Sequence, residues 1–140
     1  MDVIDRFENF YQDLGQGAID GLSDVYDEQV VFIDPVTRHE GLPALTRYFQ
    51  NLMQNCRSCR FDATTHRLGA EMAFVTWTMS FEHAHLRGGK PIVVEGVSEL
   101  SIADDKIVKQ RDYYDMGAMI YENVPVLGYI VGGLRRRIAA

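Results

Sequence analysis

Cysteine is scarce in this chain of 140 residues: there are two, Cys56 and Cys59, in a lone C-R-S-C. One such pair cannot complete a tetrahedral zinc site, and no second pair stands elsewhere to finish one. A redox use would need a thioredoxin-like βαβ setting, which the pattern lacks. Both therefore read as structural thiols at a helix-to-strand junction. Long apolar runs are missing as well. None approaches the ~20 residues needed to span a bilayer, and the acidic, amphipathic MDVIDRFENF is not built like a signal peptide. A cytoplasmic location is the expectation. There is no basic excess: the net charge is −6, and the one basic cluster, Arg135 to Arg137, is terminal. That argues against nucleic-acid binding, which uses a basic face. With no repeat and no low-complexity run, the composition describes one ordinary globular domain, 1–140, able to bury a core without disulfides or metal.

What is present is a change of period. Val3, Ile4, Phe7, Phe10, Tyr11 and Leu14 recur at helical spacing until Gly15 and Gly17. Ile19, Leu22, Val25 and Tyr26 suggest a second, shorter helix. A β-rich QVVFIDP stops at Pro35, and Pro43 suits the first turn of a third helix with an inner stripe of Leu45, Tyr48, Phe49, Leu52 and Met53. From Arg57 the pattern alternates. It predicts strands at 60–68, 72–86, 92–102 and 107–114, turned at Gly69-Ala70, Gly88-Gly89 and Asp104-Asp105. Three helices and then a four-strand antiparallel meander make an α+β domain. A tail, 116–140, breaks at Asn123-Val124-Pro125 and resumes as an apolar stripe ending in three arginines. Arginines there complement a helix dipole. A dimer contact is the alternative, and membrane-surface contact is not expected.

The last strand carries the most suggestive chemistry. Alternation puts Val108, Gln110, Asp112 and Tyr114 on one face and Lys109, Arg111 and Tyr113 on the other. An acid flanked by Gln and Tyr, opposite a row of cations, is the mark of a strand with one wet side and one polar-studded cavity side.

Four stretches, taken in order, resemble a known family: V-Y-D-E-Q-V-V-F-I-D-P, G-L-P-A-L-T-R-Y-F, G-G-K-P and D-K-I-V-K-Q-R-D. Together they are similar to the NTF2-like superfamily of cone-shaped α+β domains, in its ketosteroid isomerase and SnoaL-type polyketide cyclase branch, as far as about Tyr121. The resemblance implies three helices in a strongly curved sheet, acid–base chemistry without a cofactor, and a homodimer formed through the sheet. It places Asp34 on the isomerase's general base, Phe10 on its oxyanion tyrosine and Ser98 on its second acid. Asp112 falls on the cyclases' catalytic acid, with Gln110 where those enzymes often carry histidine.

The same resemblance turns Trp77, Met79, Phe81, His83 and His85 toward a pocket, together with Ser98 from the next strand. Tyr26, Tyr48, Phe49, Trp77 and Phe81 would form its apolar wall. Asp34, His83, His85, Ser98, Asp112 and Tyr114 would form its polar end. Of Asp34 and Asp112, one would act as base while the other stays protonated; a histidine between them would hold both ionised. His83 and His85 have chelating spacing, but with no third histidine nearby no metal is expected. Two functions follow. One is a small-molecule enzyme of the isomerase, cyclase or hydrolase type acting on an apolar, oxygenated, ring-containing substrate. The other is a non-catalytic ligand-binding or dimerisation module.

Overall fold

The computed structural model describes residues 1–12, 14–83 and 86–140, with the side chains of Gln16, Asn55, Arg57, Ser58 and Glu122 left aside. His85, a candidate pocket residue, thus lies outside the described residues. Helix α1 spans Val3–Gln12 and buries Val3, Ile4, Phe7, Phe10 and Tyr11, the apolar stripe that its spacing dictates. The expected second helix is a 3₁₀ turn at Gln16–Gly21 and a single α-turn, α2, at Leu22–Val25. Tyr26 belongs instead to strand β1, Tyr26–Ile33. Glycines at 15, 17 and 21 leave too little helix-forming sequence for more than a turn.

The sheet is completed by β2 (Arg38–Glu40), β3 (Cys56–Arg67), β4 (Met72–His83), β5 (Ile92–Ala103) and β6 (Lys106–Tyr114). Helix α3, Leu42–Asn55, has Pro43 in its first turn, where a missing N–H is harmless. It starts at Gly41, whose φ of +86° suits glycine. The strand order is β2-β1-β6-β5-β4-β3. The meander is antiparallel, as its turns require, but β1 joins β6 in parallel, so the curved sheet is mixed. Asp104 and Asp105 both take positive φ, 51° and 57°, closing the β5–β6 hairpin as a left-handed turn. Arg6 locks α1 to that hairpin, pairing with Asp105 at 2.9 Å and donating from Nε to the Asp24 carbonyl at 2.8 Å.

One expectation from strand parity fails at Val108. Ser101 pairs with Lys109 but Ile102 pairs with Ile107, so one extra residue of β6 is accommodated as a bulge. Ile107 is fully buried, while Val108 is only half-buried. Beyond the bulge the alternation is as predicted, with Gln110, Asp112 and Tyr114 inward and Lys109, Arg111 and Tyr113 outward. A second bulge, at Cys56/Ser58, puts Cys56 opposite His83 and Cys59 opposite Phe81.

Beyond the sheet lie α4 (Met116–Met119) and α5 (Leu127–Ala139), with a 3₁₀ turn at Tyr121–Asn123 between them. Helix α5 buries no residue; Arg136 and Arg137 sit in its last turn, and Arg135 reaches back to Asp115.

Gly96 decides the shape of the interior. A Cβ built there would lie 2.4 Å from the Trp77 ring, so only glycine lets the indole lie across β5. Gly96→Ala should therefore displace Trp77 and destabilise the protein by roughly 1–3 kcal/mol, the usual cost of overpacking. Chemical denaturation will read the loss. The emission of the single tryptophan should shift with it; an unchanged spectrum and midpoint would refute this reading.

Candidate functional site

Between α1, α3 and the concave face of the sheet lies a cavity of about 240 Å³. Nine aromatic rings line it: Phe7 and Tyr11 from α1, Phe32 from β1, Tyr48 and Phe49 from α3, Phe61 from β3, Trp77 and Phe81 from β4, and Tyr114 from β6. Met119 and Ile120 border it from the tail. Such a wall follows from sequence, because helix spacing and strand alternation send one apolar face of each element to the same interior.

One hydrogen-bonded network brings polar groups into this cavity at Asp112. The Ser98 hydroxyl donates to Asp112 Oδ1 at 2.6 Å and accepts from Trp77 Nε1–H at 3.0 Å. The Gln110 amide donates to the same Oδ1 at 2.9 Å and to the Tyr11 hydroxyl at 3.3 Å. Tyr26 donates to Gln110 Oε1 at 2.6 Å. A phenol has one proton, so in the 3.0 Å contact between Tyr11 and Tyr26 the donor is Tyr11. Every hydrogen in the chain is thereby given a direction. Both bonds to the carboxylate land on Oδ1, and Oδ2 takes none from a described residue.

Asp112 is half-buried and lines the cavity. Burial pushes its carboxyl up to about 6, against the pull of the Ser98 and Gln110 bonds, and the charge of Asp34 adds a smaller push upward. With Oδ1 already accepting two hydrogens, a proton on this acid sits on Oδ2. Burial also raises the phenols of Tyr11, Tyr26, Tyr48 and Tyr114, so each stays a neutral donor near pH 7. The Cys59 thiol is pushed up to about 12 by burial, and Cys56 is raised by the same cause. Both line the cavity as unreactive thiols.

A family model described as a SnoaL-like domain matches residues 7–110. The chain belongs to the SnoaL-like family. No curated protein matches it. Among solved structures it is similar to a proposed polyketide cyclase from Pseudomonas putida, at 18% identity over 89% of this chain and 98% of that one, with a TM-score of 0.75. A proposed SnoaL-like polyketide cyclase from Jannaschia sp. gives 12%, 88%, 92% and 0.75 in the same measures. A protein with a ketosteroid isomerase-like fold from Catenulispora acidiphila, in complex with trimethylamine, gives 11%, 88%, 93% and 0.73. These likenesses establish the NTF2-like fold.

Within this SnoaL-like domain, most of the expected pocket residues meet. Tyr48, Phe49, Trp77, Met79, Phe81, His83, Ser98, Gln110, Asp112 and Tyr114 all line the cavity. Tyr26 does not: it is 1% exposed and stands behind Gln110, orienting that amide. Asp34 is not in the wall either. Its Oδ1 accepts from the backbone N–H of Val36 and Thr37, at 2.8 Å each, closing the turn after β1. Its Oδ2 takes the Tyr48 hydroxyl at 3.4 Å, which sets the tyrosine between Asp34 and the cavity. An Asp-Pro strand end favours such a turn, and here that local chemistry prevails.

Tyr11 is a polar residue that the sequence alone does not single out. The resemblance sets Phe10 at the position of the isomerase tyrosine, and Phe10 packs into the core with no polar atom. The hydroxyl of the neighbouring Tyr11 is the one that reaches the Gln110 network. The signal was the Phe7–Tyr11 spacing of four, which puts both rings on one helix face. Phe61 and Cys59 were missed because the bulge at the start of β3 sets their parity. Among the described residues no cluster of His, Cys, Asp or Glu could hold a metal ion.

An acid raised on folding has a definite pH signature. Between the ordinary value of 3.8 and about 6 the folded protein holds a proton that the unfolded chain has released. The stability from neutral Asp112 is therefore full below pH 4 and lost by pH 6–7. Asp112→Asn keeps the acceptor for Ser98 and Gln110. It should stabilise the protein by about 1–3 kcal/mol at pH 8 and by nothing at pH 4. Urea midpoints at the two pH values test this, and a variant less stable at both would count against it.

Proposed function

We propose that this SnoaL-like domain is an enzyme in which Asp112 moves a proton on an oxygenated, ring-containing substrate, in chemistry of the isomerase, cyclase or hydrolase type. One observation carries the reading: a cavity-lining carboxylate pinned through Oδ1, with Oδ2 bonded to no described residue and affinity for protons poised near neutrality. General bases work best under those conditions. In the simplest form Oδ2 takes a proton from carbon next to a substrate carbonyl, and the electron pair moves onto the carbonyl oxygen. Tyr114, two residues along the same strand face and with its hydroxyl committed to no described residue, donates to that oxygen. The proton then returns to a different carbon, which isomerises the substrate, or the enolate attacks a second carbonyl, which closes a ring. His83, also in the wall, is a candidate to carry the proton onward. Asp34 has no direct part, because its oxygens serve a turn and Tyr48.

Solvent-deuterium exchange tests the chemistry without knowledge of the natural substrate. Cyclic ketones of steroid, terpenoid and aromatic polyketide type should gain deuterium next to the carbonyl in the presence of protein. The rate should rise from pH 5 to 7 and level off above, as Asp112 loses its proton. Asp112→Asn should slow it by about 10²- to 10⁴-fold. A second reading, a ligand-binding module, is favoured by the full commitment of the Ser98, Gln110, Tyr11 and Tyr26 hydrogens to Asp112 and to one another. Saturable binding of these ketones with no exchange in any would select it.

The outer face of the sheet supports pairing with a second copy. It exposes Val93 and Tyr113, at 60% and 45%, and carries an acidic row, Glu95 and Glu99 on β5, beside a basic row, Lys109 and Arg111 on β6. A two-fold-related copy would lay each acidic row against a basic one. Light scattering at micromolar concentration should give a dimer, and Val93→Glu a monomer; a monomeric parent protein would end the idea.

A further inference from the structure

The cavity's charge is as informative as its shape. Among the described residues no lysine or arginine lines it, while Asp112 and Glu8 do. Glu8 has its own partner, the Thr65 hydroxyl. Asp112 Oδ2 has none among the described residues, and the charge that acts on Asp112 is that of another acid, Asp34. A buried carboxylate without a countercharge is an expensive arrangement, and structures normally relieve it with a cation. Here the surroundings are suited to one brought by a ligand. Trp77 lies 5.7 Å from the Phe61 ring and 6.1 Å from Tyr114, centroid to centroid. The Trp77 indole is joined to Asp112 through Ser98 alone. Aromatic rings grouped around one carboxylate are an environment in which an alkylammonium is attracted by both ring faces and charge.

We infer that the cavity contains a cation subsite, formed by Asp112 Oδ2 with the Trp77, Phe61 and Tyr114 rings, for the ammonium group of an amine-bearing, otherwise apolar ligand. The inference rests on the cavity being the ligand site, but not on catalysis there. It disfavours anionic ligands such as carboxylates and phosphate esters, which would meet Asp112 and Glu8 with no lysine or arginine among the described residues of the wall to balance them.

The groups able to modify the charge of Asp112 are few in kind. Asp34 acts from the turn after β1, and Glu8 lines the same cavity from α1. Neutral phenols face it from α1, β1, α3 and β6, at Tyr11, Tyr26, Tyr48 and Tyr114. The thiols of Cys56 and Cys59 on β3 are neutral, β4 brings His83, and β5 brings only the uncharged Ser98. The proton on Asp112 is therefore the main competitor of a bound cation.

Benzyltrimethylammonium and its neutral isostere neopentylbenzene are the probes, because they share a shape and neither titrates. The single tryptophan, Trp77, lines the cavity and reports binding by its fluorescence. At pH 8 the ammonium should bind at least about tenfold more tightly than the hydrocarbon. Its affinity should fall as pH drops through 6, while that of the hydrocarbon stays flat. Asp112→Asn, checked for folding by circular dichroism, should abolish the preference. The pH series on the unaltered protein keeps the test valid if that variant does not fold. Equal affinity, preference for the hydrocarbon, an ammonium affinity insensitive to pH, or no quenching by either probe at millimolar concentration would overturn the inference. Tight hydrocarbon binding without ammonium preference would sink the cation subsite and leave the catalytic reading standing. Ammonium binding with no deuterium exchange in any ketone would do the reverse.

Discussion

The structure depends on one arrangement: a carboxylate in an apolar cavity, held through a single oxygen. A buried acid must be given hydrogen-bond donors, and the donors must themselves be satisfied. The chain from Trp77 through Ser98, and that from Tyr11 through Tyr26 and Gln110, meet both demands. Proton counting leaves no freedom in either. Tyr26 has given its proton to Gln110, so Tyr11 must donate to Tyr26, and the Gln110 amide must turn its nitrogen to Asp112. Of the carboxylate, only Oδ2 is left without a donor among the described residues.

The rest of the fold is disposed around that constraint. Helix α1 supplies Tyr11 and is itself clamped to the β5–β6 hairpin by Arg6 and Asp105. The parallel pairing of β1 with β6 brings Tyr26 beside Gln110 across 84 residues of sequence. Gly96 allows the indole to lie where its N–H reaches Ser98. Asp34 stands one layer back, its charge felt at Asp112 and its oxygens occupied with a turn and with Tyr48. The two acids, which sequence alone made equivalent candidates, thus have different surroundings and different work.

Much of this could be read along the chain, for reasons that are local. A period of two assigns Trp77 and Phe81 to one face of β4, and Gln110, Asp112 and Tyr114 to one face of β6, whatever the partners. The turns at Gly69, Gly88 and Asp104-Asp105 follow from which residues tolerate positive φ. What resisted reading involved one-residue shifts. The bulge at Val108 moved Ile107 inward, and that at the start of β3 turned both cysteines into the cavity. The resemblance points to Phe10, whereas the hydroxyl stands one residue on, at Tyr11. Periodicity locates a face, but a single inserted residue exchanges faces beyond it.

The sequence by itself determined the α+β class, the helical and strand faces, the turns, and the placing of Asp112 between Gln110 and Tyr114 on an inward face. These are consequences of spacing and backbone sterics, which act over a few residues. Only the tertiary structure decided which hydroxyl met which amide, that β1 would run parallel to β6, and that Asp34 would close a turn while Asp112 opened onto a cavity. Burial, and with it the upward push on the Asp112 carboxyl, is a property of what surrounds a group on every side. No single stretch of chain contains those surroundings.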